Sequence, residues 1–239
     1  MKEIKCLDHG FVKLLNVAGA VRRTELAGRH RPFDADTIDI AHSARICFDN
    51  FEEARTREQD LKLVDYLIRN KHTSPIEMIE VWLEMKLPIF VARQFVRHRT
   101  CVINEVSARY SILPEEWYIP EVVGGKSSSN KQGQEDNLDE NNQFNFKLHL
   151  NLQCEESYRL YKIALSTGVA PEHARLFLHV NHYTHWIWKQ NLHNLFHFLS
   201  LRLHPHAQIE ARVYAEAVYR LLKEALPEAM ELFDKYRRL

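Results

Sequence analysis

The chain has 239 residues, 45% hydrophobic and 27% charged, enough apolar material to bury a core in one large domain or two small ones. Lys plus Arg number 32 and Asp plus Glu 32, so the net charge is zero with histidine neutral. This excludes the overall positive excess with which nucleic-acid binders displace counterions, and leaves room only for local basic sites.

No run of about 18 apolar residues occurs, so no membrane span is expected. Residues 1–10 are mixed and charged, unlike the apolar core of a signal peptide. Cys6, Cys47, Cys101 and Cys154 are scattered with no C-x-x-C pair, which points to a reducing, cytoplasmic compartment. Only 7 glycines are present, with neither G-x-G-x-x-G nor G-x-x-x-x-G-K-[ST]. Any bound nucleotide must therefore be gripped largely by side chains.

In chain order, residues 11–17 read as a short strand. Residues 34–48 have helical character, with Asp34 or Asp36 as cap and Ile38, Ala41, Ala44 and Phe48 at helical spacings. Residues 57–70 form a second helix with Leu61, Val64, Leu67 and Ile68 on one face. Residues 76–87 alternate and are rich in β-branched side chains, which predicts a strand. Pro88 then opens a helix that runs to about His98, and residues 102–112 return to an extended pattern. The stretch 123–145 is polar, with too little apolar surface to order itself alone, and reads as an exposed loop insertion within one domain. Residues 146–167 form a helix ending before Gly168, and Pro171 starts another. Residues 178–188 read as a strand, and 191–203 and 207–225 as amphipathic helices.

The segment from Gln94 to Tyr110 carries the chemistry. On the helix, Gln94, Arg93 and Arg97 can share a face. On the predicted strand, Glu105, Ser107 and Arg109 stand at i, i+2 and i+4 and share another. Guanidinium forks match phosphate oxygens, and the carboxamide, carboxylate and hydroxyl can read a base or sugar. The plain alternative is a solvated basic turn. Against it, Phe95, Val96, Val102, Ile103 and Val106 imply that the segment is anchored in a core.

Of the 14 histidines, 8 lie between His173 and His206. His193 and His197, four apart on a predicted helix, have the spacing of metal ligands. However, no H-E-x-x-H occurs and no carboxylate falls within 191–203, so no metal is expected. Tyr183, Trp186, Trp188, Phe196 and Phe198 read most simply as core or subunit contact.

Arg97-His98-Arg99, followed by seven residues and Ser107, resembles the signature of flavin-dependent thymidylate synthases. Gln94, Glu105, Arg109 and Tyr110 fit that pattern. His72-Thr-Ser74-Pro75-x-Glu77 resembles the family's upstream flavin segment. Arg175, Asn191-x-His193, His197 and the stretch from Leu201-Arg202 to His206-Ala207-Gln208 resemble its C-terminal half. The resemblance covers most of the chain, apart from the polar insertion and much of 18–35.

The resemblance implies synthesis of dTMP from dUMP, with methylenetetrahydrofolate as carbon donor, FAD as cofactor and NADPH as reductant. It implies that Gln94, Arg97, Glu105, Ser107, Arg109 and Arg175 hold dUMP, the arginines mainly at its phosphate. Ser74, Arg97, His98, Arg99, Glu105, Asn191, His193 and His197 are implied to contact FAD, and His72 to line the flavin and folate side. Arg202 is implied to sit beside the pyrimidine as the catalytic residue. A fixed guanidinium there can stabilise charge building on the ring without proton transfer. Cys101 falls at a variable position of the pattern and reads as a small buried thiol, so no thiolate is expected to attack the pyrimidine. Ser107 has no evident His–Asp pair to activate it, so a hydrogen-bonding role is expected. Met78 and Cys47 stand where some relatives carry histidine and serine. Elements and resemblance together predict one α+β domain over 1–239, a mixed, mainly antiparallel sheet covered by helices. The expected assembly is a homotetramer with active sites shared between subunits, binding neither nucleic-acid polymer nor membrane.

Overall fold

The computed structural model describes residues 2–19, 35–48, 55–127 and 134–238. Its main sheet grows around two nine-residue strands, β3 (Glu80–Pro88) and β7 (Tyr183–Asn191), paired antiparallel along their whole length from Glu80 opposite Asn191 to Pro88 opposite Tyr183. In β3 the period-2 pattern buries Val81, Leu83, Met85 and Leu87 and leaves the intervening side chains partly open. β1 (Glu3–Cys6) and β2 (Gly10–Ala18) extend the sheet on one side and β4 (Val102–Glu105) on the other, in the order β1-β2-β3-β7-β4. Every pairing among the described residues is antiparallel, so the predicted mixed character is absent there.

Several boundaries depart from expectation for local reasons. The strand predicted from 76 begins at Glu80, because Pro75 sits in the first turn of a short helix, α3 (Ser74–Glu77), whose Ile76 and Glu77 amides donate to the Thr73 carbonyl. The first predicted helix is only α1 (Asp39–Arg45), followed by a 3₁₀ turn at Ile46–Phe48. Asp36 does not cap it: its carboxylate accepts from Arg57 at 3.0 and 3.1 Å. Asp34 lies outside the described residues. By contrast, α2 (Arg57–Arg69) has a full capping box between Thr56 and Gln59.

The helix after Pro88, α4, spans Ile89–Phe95. Within the polar stretch, β5 (Gly124–Lys126) pairs with β6 (Gln134–Asn137). Asp139 caps α5 (Glu140–Ser166), which starts before the predicted 146. Residues 128–133 of that stretch lie outside the described residues. α6 (Pro171–Ala174), α7 (Leu192–Arg202) and α8 (Ile209–Ala225) follow the predicted order. A further helix, α9 (Pro227–Tyr236), is signalled in the sequence only by the proline at its first turn.

Tyr183, Trp186, Trp188, Phe196 and Phe198 are each at most 2% exposed, which makes the aromatic stripe core. Phe198 meets Phe95 and Trp188 edge-on with centroids 4.9 Å apart. Each such ring contributes roughly 1.5–3 kcal/mol of burial. Together they lock the end of α4 against α7, and this lock positions the site.

Candidate active site

Phe95 is fully buried, and immediately beyond it the chain turns outward through the Arg97-His98-Arg99 triplet. His98 is buried, with its ring 5.0 Å from Phe198 and 6.0 Å from His197. Arg202, in the last turn of α7, reaches it. The Arg202 Nε donates to His98 Nε2 at 3.3 Å, and a terminal nitrogen donates to the Gln94 carbonyl at 3.3 Å. Arginine only donates, so His98 Nε2 is the acceptor and the neutral ring carries its proton on Nδ1. Burial, then the Arg202 charge and His197, hold the His98 pKa down at about 4. Burial also lowers the Arg202 pKa. At neutral pH this arrangement is a half-buried guanidinium fixed by two uncharged acceptors, a preorganised positive charge.

The Gln94 side chain donates to the Gln208 carboxamide, just ahead of α8. Gln208 lies within the stretch that carries the resemblance, which by itself assigns it no role. Asn191 caps α7 by accepting from the Asn194 amide at 2.9 Å. One turn apart on α7, His193 and His197 line an open cleft of about 340 Å3 together with Ser200, Lys71 and Arg237. Burial lowers the His193 pKa, with Arg237 and His197 adding to the effect and Glu77 opposing it. His193 Nδ1 and the Arg237 Nε and Nη2 are buried without a hydrogen-bond partner among the described residues. Sequence reasoning misses Lys71 and Arg237: Lys71 adjoins the predicted His72, but Arg237 carries no sequence signal. The donor set of imidazoles, cations and a hydroxyl, with no carboxylate in the lining, fits a cofactor that carries phosphates.

The far end of β4 corrects one expectation. The strand stops at Glu105, which accepts from Thr184 Oγ1 at 2.5 Å. The Ser107 carbonyl then accepts the Tyr110 and Ser111 amides at 3.0 and 3.1 Å, and Ser107 Oγ accepts the Arg109 amide at 3.2 Å. Glu105, Ser107 and Arg109 therefore do not share a strand face; a turn displaces the last two, with Ala108 buried beneath it. The turn sends Arg109 to Glu172 at 3.1 Å. Arg175 Nε donates to the Glu172 carbonyl at 3.3 Å, so two of the three predicted phosphate arginines, Arg109 and Arg175, meet at α6, and Arg97 does not join them.

One group thus gathers Gln94, His98, His197 and Arg202, and another gathers Arg109 and Arg175. Between them runs β4, four residues or about 10 Å of strand. No hydrogen bond among the described residues joins the two groups. Arg97 and Arg99 are exposed and make no hydrogen bond or ion pair among the described residues. Ser74 is exposed on α3, and His72 contacts the Tyr66 ring at 5.6 Å. Cys101 is only partly buried, packed against the core. Among the described residues, no group of three or more His, Cys, Asp or Glu could hold a metal ion, and no helix is long and apolar enough to cross a membrane.

Residues 33–228 match the family model of the thymidylate synthase complementing protein. A flavin-dependent thymidylate synthase of Treponema denticola is 41% identical over 240 residues, covering 99% of this chain and 84% of the relative. One from Thermus thermophilus is 42% identical over 233 residues, covering 98% and 78%. Among solved structures, the UMP/dUMP methylase PolB of Streptomyces cacaoi, bound with 5-Br dUMP, matches with a TM-score of 0.81 at 26% identity over 99% of both chains. The arginine-histidine motif, the late arginine that closes on it, the fold and the near full-length identities agree: this chain belongs to the flavin-dependent thymidylate synthase family.

Proposed function

We propose that the chain converts dUMP to dTMP at a site where Arg202 lies beside the pyrimidine and Arg109 and Arg175 take the phosphate. Methylenetetrahydrofolate is the carbon donor and NADPH the reductant. When bound, reduced FAD supplies the hydride. Ser74, Arg97, His98, Arg99, Glu105, Asn191, His193 and His197 would hold that cofactor, and His72 would line its folate side. Gln94, Arg97, Glu105 and Ser107 complete the dUMP contacts.

The carrying observation is the pair of bonds from Arg202 to His98 Nε2 and to the Gln94 carbonyl. They tie the late arginine to the R-H-R turn in a half-buried place. There the guanidinium can stabilise negative charge growing on the ring while keeping its own protons. Neutral His98 supports it without adding a competing charge. Cys101 supplies no thiolate in this scheme.

The working unit in this reading is a cytoplasmic homotetramer with shared sites. Supporting it, Ile112 (64% exposed) and Leu176 (78%), close in sequence to Arg109 and Arg175, leave large apolar side chains in solvent. Exposed apolar side chains of this size are the kind that association covers. The test is an absorbance spectrum of the purified protein, followed by NADPH addition and anaerobic assay of dTMP. Flavin bands that bleach with NADPH, and dTMP formed from dUMP and methylenetetrahydrofolate, are expected. Flavin-replete protein that makes no dTMP would overturn the reading.

A further inference from the structure

The cleft beside His193 and His197 holds two cations that the roles above leave unused. Lys71 occupies the position just after the Asn70 C-cap of α2, with φ of 59°, and the His72 amide closes that turn onto the Leu67 carbonyl at 2.9 Å. Left-handed backbone at a helix end favours glycine, and another residue costs on the order of 1 kcal/mol there. The lysine in that strained place lines the cleft.

Arg237 follows α9. Its neighbours are neutralised within the chain: Lys235 by Asp65 at 3.2 Å, and Arg238 by Asp234 at 3.1 Å. Tyr236 also donates to Asp65, at 2.9 Å, pinning this end of α9 to α2. Arg237 alone of the three cations has no carboxylate among the described residues, and its Nε and Nη2 are buried unpaired. Lys71 likewise makes no ion pair among the described residues. Buried unpaired guanidinium nitrogens are costly, and a cleft that sets them beside an exposed lysine and two imidazoles, with no carboxylate in its lining, is built for an anion.

We propose that Lys71 and Arg237 form a clamp for a phosphate or pyrophosphate group of a bound dinucleotide, next to His193 and His197. The choice of dinucleotide rests on the flavin reading above; the anion clamp itself does not. Two sources offer this chemistry: the pyrophosphate of FAD and the 2′-phosphate of NADPH.

The test uses the full chain, stripped of flavin, as wild type and as Lys71→Gln, Arg237→Gln and Arg237→Lys. Inorganic pyrophosphate binding is measured by calorimetry, and FAD and riboflavin binding by flavin fluorescence. Thermal midpoints establish that each variant is folded, and Lys71→Gln, at an exposed position, carries the test should Arg237→Gln unfold. Both Gln variants should bind pyrophosphate at least about tenfold more weakly, with Arg237→Lys largely rescued. A parallel loss for FAD but not riboflavin assigns the clamp to the flavin. Unchanged FAD affinity with a raised KM for NADPH, but not for NADH, assigns it to the reductant. A wild type that binds pyrophosphate but no FAD would sink the flavin reading while leaving the clamp standing. Pyrophosphate binding that is absent in wild type, or equal in all variants, overturns the clamp.

Discussion

The two arginine clusters carry the same chemical group in opposite settings. At the end of α7, Arg202 is half-buried, faces two neutral acceptors and has no carboxylate partner among the described residues. At the end of β4, Arg109 is 52% exposed and already paired with Glu172, itself 47% exposed. An uncompensated, immobilised charge is suited to a transition state, since it is in place before charge develops. An exposed ion pair is worth at most about 1 kcal/mol, so a phosphate offering bidentate contacts can displace Glu172. In the proposed reading, the difference separates a residue that works on the reaction from residues that hold its substrate.

The sharpest way to break this distinction is Arg202→Ala. It should retain FAD and lose dTMP synthesis by about a thousandfold or more, measured as single-turnover dTMP. A near wild-type rate would remove Arg202 from the chemistry. Arg109→Ala or Arg175→Ala should instead raise the KM for dUMP about 10–100-fold with kcat changed only a few-fold, as expected for lost charge-assisted bonds. A selective fall in kcat would contradict a holding role. Glu172→Gln refines the contrast further: freeing Arg109 should leave the KM for dUMP unchanged or a few-fold lower, and a rise would show that Glu172 positions the arginine rather than competes for it.

A smaller effect lies in pH. The native state holds His98 near pKa 4, below its ordinary 6.5, so between those values the unfolded chain takes up a proton the native chain refuses. The contribution of neutral His98 to stability is complete above 6.5 and is lost as pH falls toward 4. His182, also lowered to about 4 by burial, adds to the same slope. His98→Gln keeps an acceptor for Arg202 and should flatten part of the slope in denaturation midpoints; an unchanged slope would mean that His98 titrates normally. Least of all should change in Cys101→Ala, which is expected to stay active. Complete inactivity in a folded variant would restore a thiol mechanism.

The sequence made the framework legible where one physical signal dominated. The alternating burial of β3 and the apolar face of α2 needed only local periodicity. The R-H-R motif and Arg202 were legible as parts of a family pattern. What periodicity could not supply was the break after Glu105: the alternation of 102–112 looks extended, yet the Ser107 carbonyl and hydroxyl collect three amides and fold the chain into a turn. The meeting of Arg109 and Arg175 at α6 depends on that turn and on packing between segments far apart in the chain. Arg237 was invisible for a different reason. Its significance lies in the carboxylates its neighbours take, and no spacing rule encodes that.

Within one chain no hydrogen bond joins the two clusters among the described residues, and the proposed assembly shares its sites between subunits. The most direct test is to co-express inactive Arg202→Ala with a phosphate-site variant, Arg109→Ala, and assay the mixed oligomers below the variant's KM for dUMP. If one active site draws Arg202 and Arg109 from different subunits, random mixing should regenerate intact sites at about a quarter of the wild-type number. If the mixed oligomers gain nothing over the two parents, both arginines serve the same site from one chain and the shared-site account fails.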